Sequence, residues 1–149
     1  MNEKKASEDP NAVKSKLGEK EAIRILEREG YTNIMRRDKS EKGFDLKADK
    51  DGRTFKFEVK TTVGDFSIPD AYISEFDVTC QNHPLLISDY LLVVRVKKTE
   101  DGYNVKGAHL LPRDFVNRFQ HRIKLTVVLS RDLQNILKDS DEYWIDYND

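Results

Sequence analysis

Cysteine is almost absent from the chain: Cys80 is the only one in 149 residues. A lone cysteine excludes an internal disulfide and a zinc site built on several thiolates, and Cys80 is expected to be a small buried side chain. Long hydrophobic runs are missing too. No apolar stretch can span a bilayer and no segment reads as a signal peptide, so the expectation is an intracellular, cytoplasmic protein without a membrane partner. Histidine is sparse: His83, His109 and His121 stand apart, and each is expected to be structural or exposed rather than a ligand. Repeats and low-complexity linkers are absent. An excess of one charge is lacking as well, with 26 Lys and Arg against 27 Asp and Glu. That balance argues against nucleic acid as a partner, since domains that bind it are mostly basic.

Charge itself is abundant. Charged residues make up 36% of the chain and apolar ones 38%, which fits one domain over residues 1–149 with a heavily charged surface. The balance conceals asymmetry. Acids collect at Glu8-Asp9, at Glu100-Asp101 and in a tail at 139–149. Bases collect at Arg36-Arg37, Lys39, Lys42, Lys97-Lys98, and along Arg113, Arg118, Arg122 and Lys124. Such runs are commonly solvated faces, so the bases are candidate contacts only.

Two short runs alternate apolar and polar residues with the period of a half-buried strand: Gly43-Phe44-Asp45-Leu46-Lys47-Ala48 and Thr54-Phe55-Lys56-Phe57-Glu58-Val59-Lys60. Phe44, Leu46 and Ala48 share one face; Phe55, Phe57 and Val59 share one face of the second. Asp45, Glu58 and Lys60 fall on the opposite faces. Asp51-Gly52 is a two-residue hairpin signal, because the mirror-image turns that match strand twist need positive φ. If Lys50 pairs with Arg53, Asp45 stands opposite Glu58. Facing carboxylates repel. A divalent cation between them removes the penalty, and hard oxygen ligands suit Mg²⁺ or Mn²⁺. Lys60 projects from the same face and could hold a water or neutralise a phosphoryl oxygen. A plain solvated strand face would give the same pattern.

A third acid comes from the segment Leu17 to Tyr31, which reads as a helix stopped by Gly30. Ala22, Ile23 and Leu26 cluster around Glu19, so Glu19 is expected on the apolar face and Glu21 nearly opposite. Glu19 is then a boundary residue or a further carboxylate delivered to the hairpin.

Glu19, Gly30-Tyr31, Gly43-Phe44-Asp45 and Phe57-Glu58-Val59-Lys60-Thr61-Thr62 together resemble the PD-(D/E)xK, or restriction-endonuclease-like, nuclease superfamily. The pattern is similar to Holliday-junction resolvases and small restriction-like domains with an EVKT strand, and covers Leu17 to Gly64. The resemblance implies an α/β (α+β) fold: a mixed central sheet flanked by helices in an αβββαβ order, here with a C-terminal elaboration. It implies a Mg²⁺- or Mn²⁺-dependent nuclease that hydrolyses phosphodiester bonds in DNA, with RNA open. Asp45 and Glu58 match the metal-binding acids, Lys60 the motif lysine and Glu19 the helix acid; the Val59 carbonyl is a further metal ligand by analogy. Phe44 stands where the family's name has proline. Arg36, Arg37, Lys39, Lys42, Thr61 and Thr62 are candidate nucleic-acid contacts, although a β-branched pair after a strand is ordinary structure. The alternative is a nuclease-fold module without turnover that binds nucleic acid or a protein partner. Assembly as a homodimer or something larger is left open.

The remaining expectations are briefer. Residues 1–8 fray. Asp9-Pro10 starts a helix that Gly18 bends. A loop follows at Val63-Gly64-Asp65, and Pro69 to Gln81 reads as a helix ended by His83-Pro84, with a strand at Phe76-Val78 as the alternative. Tyr90 to Val96 is apolar enough for a central strand. Asp101-Gly102 turns the chain into Tyr103–Leu111. Pro112 to Gln120 is a short helix, Ile123 to Leu129 a strand, and Ser130 caps a last helix through Leu137. Trp144 falls in the acidic tail.

Overall fold

The computed structural model describes residues 10–41, 43–63, 71–72, 87–118, 120–123, 126–129 and 142–146. In chain order the elements are α1 (Pro10–Arg28), β1 (Thr32–Arg36), β2 (Leu46–Lys50), β3 (Arg53–Val63), β4 (Ala71–Tyr72), β5 (Tyr90–Thr99), β6 (Gly102–Pro112), α2 (Arg113–Arg118), β7 (Gln120–Ile123), β8 (Thr126–Leu129) and β9 (Trp144–Asp146). Six strands form one sheet in the order β1-β2-β3-β5-β6-β9, and three form a second, β4-β8-β7. Only β3 and β5 run parallel among the paired strands described; every other pair is antiparallel. The class is therefore mixed α and β, as expected.

The core forms where α1 lies on one face of the large sheet. Ala22, Ile25, Leu26, Tyr31, Leu46, Ala48, Phe57, Leu92, Val94, Val96 and Ala108 are buried there together. Tyr31 meets Phe57 edge-on with ring centres 5.3 Å apart, and Tyr90 stacks on Phe57 at 5.5 Å. Gly30 ends α1 as its position in the sequence predicts. Its φ of 93° is open to glycine. The Tyr31 amide donates to the Leu26 carbonyl at 3.0 Å and the Gly30 amide to Glu27 at 3.1 Å. These two bonds are those of a Schellman cap, which returns the chain to the core at Tyr31.

Several expectations change. Gly18 does not bend α1, which runs unbroken to Arg28. The missing side chain instead lets the helix press on β3: a Cβ on Gly18 would run into the Thr61 side chain. Thr32–Arg36, a segment without a clear strand pattern, pairs with β2 as the sheet's edge. Ala71–Tyr72 pairs with Thr126–Val127 instead of opening a helix, because pairing with another strand overrides local propensity. The run from Ile123 to Leu129 is not one strand. Ile123 pairs with Thr126, so the chain folds back on itself. The helix expected over Pro112–Gln120 is confined to Arg113–Arg118, with Phe115 and Val116 buried. Trp144–Asp146, expected in an acidic tail, extends the sheet beside β6. Gly107 makes room for it, since a Cβ there would strike the Trp144 ring and the Ile145 carbonyl. Residues 1–8, Asp9, Lys42, Gly64, all of the expected Pro69–Gln81 helix except Ala71–Tyr72 (with the alternative strand at Phe76-Val78), Cys80, His83, Phe119 and the helix expected after Ser130 lie outside the described residues.

Candidate active site

The hairpin is set by its turn. Asp51 and Gly52 both have positive φ, 53° and 79°, and Lys50 pairs with Arg53. Counting outward, the ladder continues to Leu46 opposite Phe57 and ends there. The Asp45 amide donates to the Phe57 carbonyl at 2.8 Å, and Asp45 Oδ2 accepts from the Val59 amide at 2.8 Å. The carboxylate thus takes the place of a ladder carbonyl. It sits on the middle residue of Glu58-Val59-Lys60.

This corrects one detail of the sequence reading. Burial alternates from Phe44 to Ala48 as expected, but the regular strand has not begun at Asp45. Phe44 records the break. Its ring is buried, but the Lys56 ammonium lies 5.0 Å above it, and it is not part of the cluster that holds Leu46 and Ala48. The turn before Asp45 is tied to the start of β5. Ser88 Oγ donates to the Gly43 carbonyl at 2.6 Å. The Asp89 amide donates to the Lys56 carbonyl at 2.9 Å, and the Lys56 amide to the Asp89 carboxylate at 2.8 Å.

Glu58 and Lys60 share a face, as the period of two requires. Lys60 Nζ is 3.8 Å from Glu58 Oε2, an ion pair too long for a hydrogen bond. Glu58 is only 6% exposed. The face is the one turned away from α1. Across the parallel pairing, Glu58 is beside Leu91, Lys60 beside Val93 and Thr62 beside Arg95.

That last neighbour is a residue the sequence reading missed. Arg95 is 2% exposed and its Nε donates to His109 Nδ1 at 3.0 Å. Accepting at Nδ1 requires an unprotonated nitrogen there, so the neutral imidazole carries its proton on Nε2. Burial, reinforced by the Arg95 charge, pushes the His109 pKa down to about 4. His109 was expected to be structural or exposed. It is fully buried, facing Val93 across the strand pair on one side and Trp144 on the other. One signal existed: a cation inside the apolar run Leu91-Leu92-Val93-Val94-Arg95-Val96. Its alignment with Glu58 and Lys60 depends on the β3–β5 register, which no local pattern reveals.

The helix acids are exchanged relative to expectation. Glu21 is the buried one, 6% exposed, with Arg24 at 3.5 Å. Glu19 is half-buried and its Oε1 lies 3.0 Å from Arg36 Nε. The buried arc of α1 is centred on Gly18, Ala22 and Ile25, because Gly18 permits the closest approach to the sheet. That rotation brings Glu21 inward. Glu19 still reaches the hairpin side of the sheet. Arg36 pairs with Leu46, the residue after Asp45.

Of the expected nucleic-acid contacts, Arg36 holds Glu19, Arg37 Nη1 donates to the Glu41 carbonyl at 3.2 Å, and Lys39 is exposed. Thr61 is packed against Gly18 under α1, so it does not border the face that carries Lys60. Thr62 does, and is buried there.

Among the described residues, no three His, Cys, Asp or Glu side chains converge on one point. Asp45, just before β2, and Glu58, on β3, are hard oxygen donors of the kind Mg²⁺ and Mn²⁺ take. The Val59 carbonyl, beside both, is an oxygen donor of the same kind. No helix among the described residues is long and apolar enough to cross a membrane. Comparison with protein-family models, with curated proteins and with solved structures finds no match.

Proposed function

We propose that the protein is a metal-dependent nuclease of the restriction-endonuclease-like kind, acting on phosphodiester bonds in DNA. One observation carries the reading: the Asp45 carboxylate is bonded to the amide of Val59, between Glu58 and Lys60. Two acids and a lysine, separated in sequence by a hairpin turn, come to one short stretch of β3. Further support comes from the order of the described elements: one helix and three antiparallel strands and, after the short β4 of the second sheet, a strand parallel to the third.

In this reading Asp45 and Glu58 hold Mg²⁺ or Mn²⁺, with the Val59 carbonyl as a further ligand. When bound, the cation lowers the pKa of water and stabilises charge on the phosphoryl oxygens. The Val59 amide fixes the Asp45 carboxylate at the end of the ladder. Lys60 sits beside Glu58 on a largely buried face, where a fixed ammonium is worth more than in water. It orients the attacking water or neutralises a non-bridging oxygen as the bond to the leaving oxygen breaks. Glu19, on α1, holds Arg36 beside the end of β2 and has no part in the chemistry on the Glu58–Lys60 face.

The test is a cleavage panel of single-stranded, double-stranded and branched DNA, and RNA, with Mg²⁺ and with Mn²⁺. Lys60→Ala should lower turnover roughly 10²-fold or more while Mn²⁺ affinity holds or tightens, because a nearby positive charge is gone. Cleavage by Lys60→Ala equal to the parent would remove Lys60 from the site. A parent protein that binds nucleic acid but never cleaves it with either metal would make the fold a binding module instead.

A further inference from the structure

The β2–β3 register sets Lys47 directly opposite Lys56. Side chains paired in this way share a face, and here it is the face that carries Glu58, two residues further along β3. Facing cations repel, as facing carboxylates do. The two lysines settle differently. Lys47 Nζ lies 3.1 Å from Glu41 Oε2. The Lys56 ammonium instead lies 5.0 Å from the centre of the Phe44 ring, a cation–π contact. No carboxylate among the described residues forms an ion pair with Lys56. The neighbouring acids are engaged otherwise: Asp49 accepts from Asn33 and Thr54, Asp45 from the Val59 amide and Asp89 from the Lys56 amide. The Asp89 amide also donates to the Lys56 carbonyl. The backbone of Lys56 is therefore held at both its polar groups, while its side chain is exposed.

Exposure along this face of β3 gives the lysine a role. Thr54 and Lys56 are exposed, Glu58 is nearly covered, Lys60 keeps 15% of its side chain in contact with solvent, and Thr62 is buried. A ligand that reaches Glu58 along β3 therefore comes from the Lys56 side. The ring that seats the ammonium belongs to the residue before Asp45, so the cation stands at the margin of both carboxylates and on their side of the sheet. We propose that Lys56 is a further substrate-binding residue, whose ammonium takes the phosphate next to the one held at Asp45 and Glu58. On binding it exchanges the face of Phe44 for a charge-assisted hydrogen bond to a phosphoryl oxygen, and the anion also relieves its repulsion from Lys47. That the ligand is a nucleic acid rests on the nuclease reading; that Lys56 is the side chain meeting it is a separate claim.

The experiment is fluorescence anisotropy with a short fluorescein-labelled DNA, as duplex and as single strand, in EDTA over a series of KCl concentrations, beside cleavage kinetics in Mg²⁺. One phosphate contact adds about 0.9 to the slope of log affinity against log salt for a duplex and about 0.7 for a single strand. Lys56→Gln should remove that amount and weaken binding roughly 5-fold near 0.15 M salt. In the kinetics it should raise KM by about the same factor and leave kcat within about twofold, the split of a residue that binds without touching the reacting atoms. Lys56→Arg keeps the charge and should restore both readouts. Lys98→Gln, on the β5–β6 hairpin, should behave like the parent. The proposal is overturned if the parent binds neither form of DNA, if Lys56→Gln keeps the parent's slope, or if Lys98→Gln loses as much. Since EDTA removes turnover from the binding readout, the two claims separate. Binding that depends on Lys56 without cleavage in Mg²⁺ leaves this contact standing and ends the nuclease reading. Cleavage by the parent, with parent-like slope and KM in Lys56→Gln, does the reverse.

Discussion

Toward α1, the strands β3, β5 and β6 contribute Phe57, Leu92, Val94, Val96 and Ala108; away from it, the same strands contribute Glu58, Lys60, Thr62, Arg95 and His109, set among Leu91, Val93 and Leu111. Both faces are covered. The first gains free energy from that burial, at roughly 25 cal/mol per Å² of apolar surface. On the second, each charge loses its hydration, and a buried ion pair commonly does no better than apolar side chains of the same volume. The stability of the domain therefore resides on the α1 face. The polar band on the other face is retained at a cost in stability, which is the usual condition of a site built for chemistry.

The contrast can be broken from either side. Asp45→Asn should reduce cleavage roughly 10³-fold or more and leave the melting curve almost unchanged. Asparagine keeps an oxygen to accept from the Val59 amide, so the end of the ladder survives while a charge is lost. Thermal melts beside the cleavage assay read both; a variant that loses activity by unfolding would contradict the division of labour. Phe57→Ala should do the opposite. It empties the centre of the aromatic cluster and should cost about 4 kcal/mol in urea denaturation.

His109 gives the next largest effect, and its sign can be worked out. Its pKa in the folded protein is about 4, against about 6.5 unfolded. Between those values the unfolded chain holds a proton that the native state does not. Stability is thus full above pH 6.5 and falls as the pH drops toward 4, by up to roughly 3 kcal/mol. Urea titrations at several pH values should show this slope, and His109→Gln should lose it while keeping an acceptor for Arg95. The smallest effect belongs to the packing of α1. Gly18→Ala should cost about 2 kcal/mol, because the new methyl meets Thr61. Adding Thr61→Ala should recover part of it; a purely helical effect would instead favour alanine at position 18.

What was legible in the sequence was local. The Asp51-Gly52 turn, the Gly30 cap and the period of two in β3 depend on neighbouring residues, and they located the hairpin, the end of α1 and the shared face of Glu58 and Lys60. The errors arose where a distant partner decides. The rotation of α1 that buries Glu21 follows from the contact of Gly18 with Thr61. The break at Asp45 follows from a hydrogen bond to Val59. Trp144–Asp146 is a strand because β6 offers it an edge opened by Gly107, and Arg95 joins the polar face only through the parallel register with β3.

The hairpin that carries Asp45, Glu58 and Lys60 also has a consequence in time. Its two strands are joined by a tight turn, so it can form on the microsecond scale typical of such units. The β3–β5 pairing is different. It is parallel and joins strands far apart in sequence, a non-local closure that slows folding. Two carboxylates and a lysine are therefore brought together before the face that buries them exists, while water can still solvate each charge. On this route desolvation comes last, when β5 docks, and destabilising changes in Glu58 or Lys60 should appear in the unfolding rate rather than the folding rate.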